Sequence, residues 1–246
     1  MARTFELDTQ AARDANSGGK RITESGKFTG TLTAAWSETY PSGAEAVCFK
    51  FESDQGQEAG PLMLFTHGRD GQALGGFNML QALMTCGKVR SIQPQPGQVS
   101  LYDFNEGKEV TKQKDTYPAL TNKRIGLLLR QEETTDQNGV LKTRDDGTPK
   151  TRMIIFAPFD PETEMVASEI LDKAAQPIQL PRMVRWLAEN PVKQAKNAQR
   201  QNAGGGQYGG YAAQPYQPTP GQQGMQGPTS NDFDDEIPFA PMPIVW

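Results

Sequence analysis

The chain has 246 residues with 25 Gly and 18 Pro, too many of both for all of it to be a close-packed globule, so part of it is expected to stay unfolded. Hydrophobic residues make up 36%, and no run approaches the roughly 18 apolar residues of a membrane-spanning helix. With only Cys48, Cys86 and His67 to draw on, a closed Cys/His zinc site cannot be assembled, and many histidine-based acid–base mechanisms fall away.

The opening residues, MARTFELDTQ, place no apolar stretch behind the basic residue, which predicts no secretory signal, a cytoplasmic address and reduced cysteines. Residues 1–25 are read as an N-terminal arm. In GKFTGTLTAAWSE, Phe28, Leu32, Ala34 and Trp36 alternate with Lys27, Thr29, Thr31 and Thr33, so the first strand is expected to turn Trp36 to the same face as Phe28. A turn at Tyr40–Gly43 and the run AVCFKFES complete a hairpin, with Val47, Phe49 and Phe51 inward and Lys50 outward. PLMLFTH, after the Gly60–Pro61 break, is the third strand. GGFNMLQALMTCG then sets Phe77, Leu80, Leu83 and Met84 at helical spacing, with Gly87 as its stop.

Residues 93–118 predict one short strand, Val99 to Phe104, followed by a basic loop through Lys108, Lys112 and Lys114. KRIGLLLRQEE and TRMIIFAPF are two further strands, joined by a polar stretch that is either a flexible finger or a hairpin extension. PETEMVASEILDKA and LPRMVRWLAEN read as helices, the first with proline at its start and acids in its first turn. The expected fold is mainly β with appended helices (α+β): a five-stranded, OB-fold-like barrel over residues 26–190, followed by a disordered tail.

Charge divides the chain at Ala203. Residues 204–246 hold no Lys or Arg and four acids, so the rest carries 25 basic and 25 acidic residues and is neutral. Gly, Gln and Pro dominate up to about residue 230, a composition that buries too little to offset the entropy of ordering and predicts a linker over 191–230. The ending, NDFDDEIPFAPMPIVW, mixes acids with Phe233, Ile237 and Phe239, as a docking peptide would: charge steers it and an aromatic ring fills a pocket. The linker keeps a captured partner close to the body.

The tip Asp232, Phe233, Asp234, Asp235, Glu236, Ile237, Pro238 and Phe239 closely resembles the acidic end of bacterial single-stranded DNA-binding proteins, and the linker before it matches as well. The family's order of OB-fold core, Gly/Gln/Pro-rich tail and recruiting tip is the order read here. Two features depart from it: Ala240–Trp246 continue past the phenylalanine that usually ends the family's chains, and the core is longer, nearer to the divergent phage and prophage type. The resemblance implies coating of single strands during replication, recombination and repair. It also implies recruitment of partner enzymes through the tip, and an acidic tip that competes with DNA for the body. Homo-oligomers occur in the family.

Single strands are held by cations along the phosphates and rings under the bases. The expected groove residues are Lys50, Arg124, Arg130, Arg152 and Phe156, with Trp36 and Tyr40 as stacking platforms and Lys27, Arg69 and the 108–114 lysines at the rim. No phosphate loop or nucleophile elbow is present, so no catalysis, cofactor or metal is expected. An alternative expectation is an adaptor or decoy whose body ignores DNA and whose tip occupies a host docking pocket.

Overall fold

Strands form wherever apolar and polar side chains alternate, and the two outer faces of the resulting sheet are covered in different ways. The computed structural model describes residue 7 and residues 21–103, 106–136 and 138–195. The chain falls into two units, Met1–Asn202 and Ala203–Trp246, and every described residue belongs to the first. The predicted acidic tip and most of the predicted linker therefore lie outside the described residues.

The strands are β1 (Gly26–Thr39), β2 (Glu45–Ser53), β3 (Glu58–His67), β4 (Gln95–Asp103), β5 (Lys108–Thr116), β6 (Lys123–Glu133), β7 (Thr151–Phe159) and β8 (Val192–Lys193). The helices among the described residues are α1 (Gly75–Cys86), α2 (Ala167–Leu171) and α3 (Gln179–Glu189). The fold is mainly β, an open and largely antiparallel sheet of eight strands with a few helices. Its centre is β1, which pairs β2 on one side and β6 on the other; β2 carries β3 and β6 carries β7. The sheet curls until β7 runs beside β3, but no ladder joins those two strands. We call the gap between them the seam. The short β8 adds in parallel to β6, so pairing runs past residue 190, where the sequence places the start of the linker.

The inside of the curl is the main core: Leu32, Val47, Phe49, Phe51 and Leu62 meet Ile125, Leu127, Leu129 and Ile155, and α1 closes one end with Leu80 and Leu83. Gly60 has a φ of 153° in a β-bulge opposite Lys50, where a side chain would press on the Phe49 carbonyl and the Lys50 backbone. β3 thus begins at Glu58, before the Gly60–Pro61 step that marks its start in the sequence. Gly126 serves packing instead, because the Phe159 ring lies against β6 in the space a Cβ would need.

Three expectations are corrected. In the β1–β2 ladder Leu32 pairs Phe51 and Ala34 pairs Lys50, which leaves Thr33 as an extra residue. That bulge reverses the parity of β1, so Ala35 joins Leu32 in the main core while Trp36 turns to the opposite face. Residues 108–116 are the strand β5, paired with β4 over nine residues, and no basic loop exists there. Its sequence, KEVTKQKDT, has one aliphatic residue and is exposed at most positions, so no alternation marks it. The first helix after β7 is only Ala167–Leu171, because residues 161–163 form a turn and Phe159 bridges Val166. Glu169, buried, accepts backbone N–H groups from Val166, Ile178 and Gln179, tying α2 to the start of α3.

Of the two alternatives for residues 134–150, the described residues form a folded extension. Asp136 Oδ1 accepts the amides of Asn138 and Val140, and Asp146 Oδ1 accepts that of Thr148. Backbone bonds link Thr134 to Lys150 and Lys142 to Thr134. We call this the finger.

Candidate nucleic-acid interface

The outer face of β1–β2–β3 is occupied. Trp36, 2% exposed, is buried with Ala46, Cys48 and Val99, and Leu101, Met63, Phe65 and Tyr40 pack around them. Val99 and Leu101 belong to β4, so the β4–β5 hairpin covers this face, although its ladder contact with β1 is the single pair Trp36–Thr116. Ion pairs pin it: Lys50 Nζ to Glu109 at 2.9 Å and Lys114 Nζ to Glu38 at 2.7 Å. Burial in this region pushes the Cys48 thiol up to about 11 and the Tyr40 phenol up to about 12, reinforced for both by the Glu38 carboxylate. Trp36 is therefore a core residue here, with no face free to take a base.

The outer face of β6–β7 is occupied as well. Leu128, Ala157 and Phe159 pack under Leu180 and Leu187 of α3. Phe156 stacks on Trp186 with centroids 5.1 Å apart and planes 11° from parallel, and the Arg130 guanidinium lies 4.6 Å from the Trp186 ring centroid. Arg130 also donates to the carbonyls of Asn190 (2.9 Å) and Val192 (3.1 Å). Both residues are thus engaged in holding α3 to the sheet. Arg124 shares a strand face with Arg130, as expected, but Gly126 and Leu128 between them lie under Phe159 and α3. It forms a bidentate pair with Asp54 at 2.8 and 2.9 Å. Asp54 also accepts from Thr29, and these bonds, Thr29's first, hold its carboxyl below the usual range.

The seam is different. A groove of about 460 Å³ follows it, with Pro61, Leu62, Met63 and Met153 in its wall and Arg21, Arg144 and Arg152 at its rim. Arg152 comes from β7, Arg144 from the finger, and Arg21 from a strap, residues 21–25, that crosses between β3 and β6. The strap is pinned at one end by Ile22, which is buried and donates its amide to the Glu58 carbonyl at 2.8 Å. At the other end the Gln131 amide donates to Ser25 Oγ at 2.8 Å, the Gln131 side chain donates to the Thr23 carbonyl, and Ser25 donates to the Pro191 carbonyl.

The three guanidinium groups differ in their partners. Arg21 donates to the Gly60 carbonyl (3.2 Å), and Arg144 donates to Thr148 Oγ1 and the Pro149 carbonyl (both 3.2 Å). Arg152 donates twice to Glu132 Oε2, at 2.8 and 2.6 Å. Lys193 also reaches Glu132 at 3.2 Å, so two cations share that carboxylate; burial pushes its pKa up, but the two cations hold it below the usual range. Glu58 is the acid in the groove lining. Tyr40 stands near one end: its hydroxyl donates to Met63 Sδ at 2.8 Å, its ring tilts on Phe65 at 5.1 Å, and the Arg152 charge acts on its phenol. The Lys50 stem runs along Gly60.

Of the seven expected groove residues, Tyr40, Lys50 and Arg152 gather around the seam, whereas Trp36, Arg124, Arg130 and Phe156 do not. Among the rim cations, Lys27 pairs Glu164, Lys108 pairs Glu106 at 3.1 Å, and the Arg69 stem lies over Gly43 in the β1–β2 turn. Arg21 and Arg144 were missed, since one lies in the arm and the other among polar turn residues. A groove of about 360 Å³ beside β5 mixes Lys114 with Glu38 and Asp115 and has no cationic excess. Among the described residues no group of three His, Cys, Asp or Glu side chains could hold a metal ion, and no helix is long and apolar enough to cross a membrane. Compared with known protein families and with curated proteins, the chain matches none.

Proposed function

We propose that this chain is a non-catalytic single-stranded DNA-binding protein that coats exposed strands during replication, recombination and repair and recruits partner enzymes through Asp232–Phe239. The observation that carries the reading is the gathering of Arg21, Arg144 and Arg152 along one groove beside the Tyr40–Phe65 ring pair. Guanidinium groups match phosphate oxygens, and neighbouring rings offer faces for bases. Two further features support it. Taken as β3–β2–β1–β6–β7 with α1 after the third strand and the β4–β5 hairpin set aside, five of the strands follow the order of an OB-type barrel, whose 1–2 and 4–5 loops serve oligonucleotides. Here those loops correspond to the Tyr40 turn and the finger. The other feature is the likeness of the acidic tip to the family's own.

The adaptor reading keeps one observation in its favour: Lys50, Arg124 and Arg152 are each paired with a carboxylate, which lowers the positive field a strand would meet. Titrating a labelled oligothymidine with the full chain and following its anisotropy separates the two. The label belongs on the DNA because Trp36 is buried. Saturable, salt-sensitive binding supports the first reading; an oligonucleotide that stays free at low salt supports the adaptor.

A further inference from the structure

We infer that the phosphate track of this protein is the seam between β3 and β7, and that the β4–β5 hairpin keeps nucleic acid off the β2–β3 face. The inference rests on the single-strand reading above and specifies where that strand runs.

The exclusion follows from what already fills the face. Val99 and Leu101 occupy the surface over Trp36, Ala46 and Cys48. The cations flanking that surface, Lys50 and Lys114, are neutralised by Glu109 and Glu38. A strand laid there would have to displace buried apolar side chains and break two ion pairs at once. The seam asks for no displaced apolar side chain, and of its three arginines it is Arg152, bound to Glu132, that would have to share its ion pair with a phosphate. Its wall of Pro61, Met63 and Met153 offers apolar contact to sugar or base. Arg21 and Arg144 donate to neutral oxygens, and a charged phosphate oxygen is the stronger acceptor for the same N–H groups. The three arginines come from the strap, the finger and β7, so they surround the groove instead of lining one strand. A groove of about 460 Å³ suits an unpaired strand passing between the three arginines. Tyr40, bonded to Met63 of the groove wall, and Phe65 beside it offer a ring pair to a base leaving the groove.

The test uses the full chain, a labelled oligothymidine, and affinity measured over a series of salt concentrations. Each phosphate contact on a single strand contributes about 0.7 to the slope of log K against log salt. The Arg21→Ala, Arg144→Ala, Arg152→Ala variant is expected to lose roughly 2 from that slope and to bind at least about tenfold more weakly at low salt. The Lys108→Ala, Lys112→Ala, Lys114→Ala variant in the hairpin is expected to keep the wild-type slope. Should the arginine triple fail to melt cooperatively, Arg144→Ala alone, on the exposed finger, is expected to lose roughly 0.7. Unchanged slope in the arginine variants, or loss of slope in the hairpin variant instead, overturns the seam as the track while leaving single-strand binding intact. A wild-type chain that binds no oligothymidine overturns the parent reading, and the track falls with it.

Discussion

The covered face of β1–β2–β3 and the open seam between β3 and β7 share a strand, yet they are built on opposite principles. On the face, apolar side chains meet and each flanking cation has a carboxylate partner: Trp36, Cys48 and Val99 are buried, and Lys50 and Lys114 face Glu109 and Glu38. At the seam the ladder stops, the walls stay apart, and three guanidinium groups from distant parts of the chain converge. The contrast teaches that positive charge in a neutral body is least cancelled where sheet pairing ends: Arg21 and Arg144 donate to neutral oxygens, and Arg152 alone of the three keeps a carboxylate partner. Within the sheet, neighbouring strands supply the acids that cancel it.

The largest expected difference is in stability. Trp36→Ala removes a buried ring from the covered face and should lower unfolding free energy by about 3–5 kcal/mol in a denaturant titration. Arg144→Ala at the seam should stay within about 0.5 kcal/mol of wild type. Equal effects would erase the distinction between the two regions.

A smaller effect is expected at the other covered face. Arg130→Ala removes a cation from the Trp186 ring and the two bonds it donates to the Asn190 and Val192 carbonyls, a loss of about 1–3 kcal/mol with little change in the salt dependence of DNA binding. A large change in that salt dependence would return Arg130 to the interface.

The covered face also predicts an alkaline limit. Cys48 and Tyr40 hold their protons more tightly folded than unfolded, with ordinary values of 9.0 and 10.0 raised to about 11 and about 12. Their contribution is complete below about pH 9 and is lost as pH climbs through the raised values. The melting temperature should fall by roughly 3 °C or more between about pH 9 and 11, and Cys48→Ala should reduce that fall, leaving the share of Cys86, whose buried thiol is pushed up to about 12 in the main core. A fall of the same size in Cys48→Ala would place its cause outside this cluster.

How much of this was legible in the sequence depended on periodicity. β1 and β2 announce themselves by alternation and α1 by its 3.6-residue stripe, whereas β3, β6 and β7 read as short apolar runs, in β6 because both faces are buried. β5 does not, since most of its residues are exposed. Trp36 was assigned to the Phe28 face because Thr33 gives no sign that it is an extra residue; only the ladder with β2 reveals the bulge. Arg124 and Arg130 do share a face, but α3, arriving some fifty residues later, covers the stretch between them. The seam was the least legible feature: Arg21, Pro61, Arg144 and Arg152 are brought together by the curl of the sheet and by no local pattern.

The smallest predicted effect concerns Lys50, which borders both regions. Glu109 is held below the usual carboxylate range by its bond from Lys50, so it remains charged and paired at neutral pH. Glu109→Gln should release Lys50 toward the seam, tightening oligothymidine binding a few-fold at low salt and steepening the salt slope by at most about 0.7. Weaker binding would mean that Lys50 contributes only through the hairpin.

Hydrogen exchange on the full chain, with and without oligothymidine, tests the central claim most directly. Slowed exchange in residues 21–25, 58–63 and 142–153, with 95–102 and 108–114 unchanged, is the predicted result. Slowing confined to the hairpin strands, with the seam unaffected, would contradict it.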